Sequence, residues 1–202
     1  MRRALVSPAS AARAACAIVI GLAACMDSRA DARAEPSRRY GLGRAASPDR
    51  IAAIDIDVGP DGEGLPAGSG NAAQGAALFA QKCANCHGPK GEGIAPGYPA
   101  LVGRATATEN FAFSKDWKPP KTIGNYWPYA TTVFDYVRRA MPHATPNSLS
   151  NDEVYALTAW LLAANQVIGA DATLDAKSLA AVKMPYAARF VPDNRRGGRG
   201  LR

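Results

Sequence analysis

The chain has only two histidines, His87 and His143, and four cysteines among its 202 residues. Cys16 and Cys25 lie near the N-terminus, while Cys83 and Cys86 stand three positions apart. No cysteine follows Cys86, so a structural disulfide has no partner left. The second ligand pair of a tetrahedral zinc site is missing for the same reason. Long hydrophobic runs are absent too. The apolar stretch from Ala14 to Ala24 has 11 residues, against the roughly 20 that a membrane-spanning helix needs. Nor is there a stretch of basic residues interleaved with aromatics, which excludes a nucleic-acid face. The tail carries Arg189, Arg195, Arg196, Arg199 and Arg202 with only Phe190 nearby. Carboxylates are scattered, and Asp55 and Asp57 read as solvated groups rather than a general acid and base.

What is present is the run Cys83-Ala84-Asn85-Cys86-His87. This spacing is the signature of covalent haem attachment. Two thiols three residues apart can add across the two vinyl groups of one haem, and the adjacent imidazole of His87 becomes an axial iron ligand. A thioredoxin-type redox pair would leave His87 unexplained. One such run implies one covalent haem c, held by Cys83 and Cys86. With His87 on iron, no Ser-His-Asp constellation can be built, and no catalytic residue is assigned.

The leader supports this chemistry. Arg2, Arg3 and Arg13 precede the Ala14–Ala24 run, and small residues follow. That pattern is a secretory signal over residues 1–32, and export places the protein in the periplasm, where c-type haem is attached. Two cleavage modes fit. Leu22-Ala23-Ala24-Cys25 resembles a lipobox, which would make Cys25 a lipid anchor, and Ala30-Asp31-Ala32 suits ordinary cleavage.

Composition is that of a globular protein, 48% hydrophobic and 20% charged, with 19 Gly and 15 Pro pointing to long irregular connections. The formal charge of +7 sits mostly in the leader and tail. Between Asn71 and Asn165 eight basic residues against six acidic ones leave +2, which two haem propionates would cancel. Residues 33–70 form an extended arm. Its patch Ile54-Asp55-Ile56-Asp57-Val58 alternates like a strand, and Tyr40, Ile51 and Leu65 offer anchors for packing. Residues 166–202 form a C-terminal tail whose Arg- and Gly-rich end, after Asp193, is expected to be disordered.

Residues 71–165 carry a helical pattern. Gly75, Leu78, Phe79 and Lys82 lead into Cys83, and Gly88-Pro89 ends the helix. A long loop from Lys90 to Ala130 needs something to wrap, and a haem supplies it. A second helix runs from Thr131 to Ala140 and stops at Met141-Pro142. Ser150-Asn151-Asp152-Glu153 is a capping box opening a last helix to about Asn165, with Val154, Leu157, Leu161 and Leu162 on its apolar face.

This order of helix, CxxCH, long loop, helix, Met-Pro and capped helix resembles class I cytochromes c. The resemblance implies an all-α fold wrapped round one haem. It also implies that Gly75 lets the first and last helices cross close to Trp160, and that the Pro99 carbonyl accepts the His87 N–H. It places Met141 as the second axial iron ligand, ahead of His143 and Met184, whose Met184-Pro185 mimics the motif beyond the final helix. Trp117, Trp127 and Arg104 are candidate propionate donors, with packing an equal role for the tryptophans.

A narrower resemblance rests on Thr122-Ile123-Gly124-Asn125-Tyr126-Trp127-Pro128-Tyr129, on Arg138-Arg139-Ala140-Met141-Pro142, and on arm segments such as Leu65-Pro66-Ala67-Gly68-Ser69-Gly70. The region from Tyr40 to Phe190 is similar to the cytochrome subunits of bacterial sulfane dehydrogenases, the SoxD family. That family implies a molybdoprotein dehydrogenase subunit as electron donor, sulfur oxidation at molybdenum, and an acceptor c-type cytochrome. Other readings remain open: a general periplasmic shuttle, the cytochrome partner of a sulfite or alcohol dehydrogenase, or an enzyme with haem as its centre.

Overall fold

Asn71 accepts a hydrogen bond from the Gln74 backbone N–H at 2.9 Å while the Gln74 side chain accepts from the Asn71 N–H at 2.9 Å. That reciprocal cap starts the first helix of the haem region. The computed structural model describes Tyr40, residues 42–104, Phe113 and residues 116–191. The chain divides into two units, Met1–Ala46 and Ser47–Arg202, and every element below belongs to the second. The secretory signal, the start of the arm and the chain end after Asp193 lie outside the described residues.

Among the described residues the elements are, in chain order, α1 (Pro48–Ala52), β1 (Ser69–Asn71), α2 (Ala72–Lys82), α3 (Ala84–His87), α4 (Ala130–Ala140), α5 (Asn151–Ala164), β2 (Thr173–Asp175) and α6 (Ala176–Ala180). A 3₁₀ turn over Ala187–Arg189 follows. The all-α class holds, with one small antiparallel ladder that pairs Ser69 with Asp175, Gly70 with Leu174 and Asn71 with Thr173. Among the described residues no helix is long and apolar enough to cross a membrane.

The core is organised around α5. Sequence periodicity assigns it one apolar face, yet Val154 through Ala159, Leu161 and Leu162 are all buried. A helix covered all round must be apolar all round, and α5 packs against α2, α4 and both strands. Phe79 of α2 stacks on Trp160 with ring centroids 3.9 Å apart, and Phe134 of α4 lies 4.5 Å from Tyr155. Leu174, Leu179 and Met184 of the tail join the same core.

The arm segment Ile54–Val58 is not a strand, despite its alternation. Its polar backbone groups are taken by side chains from one face of α4. Arg138 Nη1 donates to the Ile56 carbonyl at 3.0 Å, Asp135 Oδ1 accepts the Val58 N–H at 2.9 Å, and Thr131 Oγ1 donates to the Pro60 carbonyl at 3.0 Å. Positions 131, 135 and 138 follow one helix face, and alternate residues of an extended chain match that spacing closely. Arg139 secures Asp135 from the other side. Farther along, Tyr155 donates to the Pro66 carbonyl at 2.8 Å and Asp152 accepts the Ser69 N–H at 2.8 Å. Residues 56–69 are therefore a strap bound to α4 and α5. Of the predicted anchors, Leu65 packs against the core and Ile51 is exposed.

The capping box of α5 is present as expected. Ser150 accepts from the Glu153 N–H and Glu153 Oε2 accepts the Ser150 N–H at 2.8 Å. Lys82 at the end of α2 lies 3.5 Å from Glu153 Oε1. The Ser150 N–H holds the Glu153 carboxyl below its usual 4.5, against partial burial and with help from the Ser150 hydroxyl and Lys82. A depressed carboxylate stabilises the fold above the usual value and loses that contribution as pH falls through the folded value. Glu153→Gln should thus cost stability at pH 7, and the gap from the unaltered protein should shrink below about pH 4.5. Urea unfolding at pH 7 and pH 3 measures it; a gap independent of pH would contradict the assignment.

Candidate haem site

Cys83, Cys86 and His87 fall within a single turn. Cys83 ends α2, donating its N–H to the Phe79 carbonyl, and it also opens α3. The Cys86 and His87 N–H groups both return to the Cys83 carbonyl, at 3.0 and 2.9 Å. Gly88, with φ 77°, then ends the turn in a conformation that a side chain would strain. Both thiols are free and half-buried. Burial pushes the Cys83 thiol up to about 11, with Lys82 opposing and Cys86 adding to the rise.

His87 Nδ1 lies 3.0 Å from the Pro99 carbonyl oxygen, so the ring donates this N–H and presents Nε2 as its free lone pair. The contact predicted from the sequence is thus formed. Such a bond fixes the tautomer and orientation of a ligating imidazole and raises its basicity. The loop behind it is tied down locally: Gly93 N–H donates to the His87 carbonyl at 2.7 Å, and the Leu101 and Val102 N–H groups both reach the Gly91 carbonyl. Tyr98 packs edge-on to the His87 ring, centroids 6.4 Å apart.

Met141 stands at the C-cap of α4 in an extended conformation, φ −119° and ψ 151°. Pro142 disfavours helical geometry in the residue before it, which is why the helix stops there. Met141 is half-buried, and His143, two residues on, is exposed. Met184, by contrast, is only 6% exposed and is part of the core, which makes it packing rather than a ligand. α2, which leads into the CxxCH turn, and α4, which ends at Met141, both pack on α5.

The crossing of α2 and α5 is as close as the sequence implied. A Cβ on Gly75 would lie 1.9 Å from the Ala156 carbonyl oxygen and 2.7 Å from Trp160 Cβ. Gly70 makes a second close approach, where a Cβ would lie 2.4 Å from the Ala156 nitrogen, which no helical spacing announces. The candidate propionate donors are engaged within the protein. Trp127 Nε1 donates to Thr132 Oγ1 at 2.8 Å, and Arg104 donates to the Gln166 carbonyl. Trp117 instead lies under Lys121 Nζ, 3.9 Å from the ring centroid.

The donor set fits a haem. Among the described residues no three His, Cys, Asp or Glu side chains gather to hold a bare metal ion. What the chain offers is one oriented imidazole nitrogen, two unpaired thiols on the same turn, and a thioether at a helix end. These suit iron that arrives already held by a macrocycle, needing two axial ligands and two covalent tethers.

Residues 72–165 match the family model for cytochrome c. The structure is similar to a chain of the sulfane dehydrogenase SoxCD from Paracoccus pantotrophus, with a TM-score of 0.67 and 45% sequence identity, over 78% of this chain and 74% of that one. Among curated proteins none matches. The chain belongs to the cytochrome c family, as a class I cytochrome c that resembles SoxD.

Proposed function

We propose that this protein is a periplasmic monohaem cytochrome that takes electrons from a molybdenum-containing sulfane dehydrogenase subunit and passes them to an acceptor c-type cytochrome. The observation that carries the reading is 45% identity, over most of both chains, to a chain of a sulfane dehydrogenase. Sulfur chemistry belongs to the molybdenum partner in this reading, and the present chain supplies no catalytic residue. Export follows from the basic and apolar leader, with Cys25 available for lipidation.

A haem bound here supplies a one-electron ferric/ferrous couple. Cys83 and Cys86 would tether it, and the single CxxCH run accounts for one haem. His87, oriented by Pro99, would ligate through Nε2. Met141 would complete the axial pair, its soft sulfur favouring the ferrous state. Ligation by both His87 and Met141 would leave the iron no position open to substrate, which favours an electron carrier over a peroxidase.

Purification of the tagged protein from its native periplasm tests the partnership. The expected eluate contains a stoichiometric partner with molybdenum, and a sulfur donor reduces the haem through it. A lone cytochrome free of molybdenum would overturn the sulfane dehydrogenase reading in favour of a general shuttle. Cys83→Ser, Cys86→Ser and His87→Ala should each bring haem-stained holoprotein down to background. Holoprotein at unaltered yield in all three would remove these residues from the haem attachment site.

A further inference from the structure

We propose that Asn165 is a positioning residue for the His87 imidazole; the inference rests on the haem reading above. Asn165 is fully buried at the C-cap of α5. Its Oδ1 accepts from the Gly103 N–H at 2.9 Å and the Gly124 N–H at 3.0 Å. Its Nδ2 donates to the Leu101 carbonyl at 3.2 Å and to the Leu161 carbonyl at 2.8 Å. A side-chain amide has two donor hydrogens and two acceptor lone pairs, and all four are used here. Reversing the amide would set two donors against N–H groups and an acceptor against carbonyls, so the orientation is determined by the partners.

Three of those partners, Gly103, Gly124 and Leu101, are haem-loop backbone, and Leu161 belongs to α5 itself. Leu101 lies two residues beyond Pro99, whose carbonyl holds the His87 ring at 3.0 Å. The Leu101 carbonyl also accepts the Ile123 N–H at 3.0 Å, and Gly124 follows directly. One side chain on the rigid end of α5 therefore joins the strand of loop that orients His87 to the segment that leads into α4. Gly124 belongs to the same device: a Cβ there would lie 2.6 Å from Asn165 Oδ1. If this clamp is removed, the Leu101 carbonyl keeps only the Ile123 N–H, and the loop that carries the Pro99 carbonyl is held less firmly. The His87 N–H bond then weakens, and a less basic imidazole favours ferric iron less.

The test uses haem-loaded protein carrying Asn165→Leu, which keeps the volume and removes all four bonds, and Asn165→Asp, which keeps the two acceptor bonds. Midpoint potential and the exchange rate of the His87 ring N–H in the ferrous state are read. Asn165→Leu should raise the potential and speed the exchange; Asn165→Asp, whose carboxylate charge itself lowers the potential, should speed the exchange by an intermediate amount. A tenfold loss of preference for ferric iron would appear as a rise of about 59 mV in a one-electron couple. Leu162→Ala, a cavity in the same helix, should lower the melting temperature and leave both readouts unchanged. If Asn165→Leu does not accumulate, Asn165→Asp decides alone. Unchanged potential and exchange in the Asn165 variants, or an equal shift in Leu162→Ala, would reduce Asn165 to a general structural role. A purified protein whose pyridine haemochrome spectrum shows no covalent haem would instead sink the functional reading, and this inference with it.

Discussion

Replacing Met141 by Ala is expected to lower the midpoint potential by on the order of 0.1 V or more, a fraction of the roughly 0.8 V that axial ligands span. The physical cause is the loss of a soft thioether that prefers ferrous iron. The same change should open one iron position, so cyanide binds the ferric form and carbon monoxide the ferrous form where neither binds the unaltered protein. Met141, the proposed ligand, sits half-buried at a helix end, whereas Met184 is sealed in the core. Met184→Ala is the internal control. It should cost stability by creating a cavity, about 2–5 kcal/mol for a buried Met, with the potential and ligand reactivity unmoved. An unchanged potential in Met141→Ala would dismiss that residue as a ligand.

The second large effect belongs to Gly75. In an unconstrained helix interior Gly→Ala is favourable by about 1 kcal/mol. Here the added carbon would lie 1.9 Å from the Ala156 carbonyl oxygen and 2.6 Å from its carbon. Those are backbone atoms, so no side-chain rotation relieves the overlap and α2 must move off α5. Overpacking of this kind costs about 1–3 kcal/mol even where side chains can adjust, and we expect a net loss near the top of that range. For a chain of this size about 3 kcal/mol corresponds to a fall of roughly 6–12 °C in melting temperature. Separating the helices would also part Phe79 from Trp160, now 3.9 Å between centroids, and Lys82 from Glu153. Gly97→Ala, where nothing lies within 4 Å, should leave the melting temperature where it is. If Gly75→Ala melted like Gly97→Ala, the close crossing would be wrong.

The site residues differ in how far the sequence alone could reach them. The candidates His87, Cys83 and Cys86 stood out because their motif depends on local spacing, two thiols on one turn with an adjacent imidazole, whereas Met141 was singled out by a family resemblance. The α5 cap was legible for the same reason, since Ser150 and Glu153 are three residues apart. Pro99 and Gly75 came from a family resemblance, and the structure forms both contacts as described.

Other features were decided by the tertiary structure. The alternation in Ile54–Val58 is real, but its hydrogen-bond partners are helix side chains 77 and 82 residues away. Periodicity registers that alternate residues face something; it does not register what they face. α5 was read as one-sided because its pattern cannot show that a strap, a two-stranded ladder and two helices cover the remaining sides. Asn165 looked like a helix terminus, an ordinary place for Asn, until the loop returned 62, 41 and 64 residues distant in sequence to present three backbone groups to it. The CxxCH turn and the helix caps are short-range and were therefore determined by the sequence. The strap, the buried helix and the clamp depend on groups brought together by folding, so only the folded chain decides them.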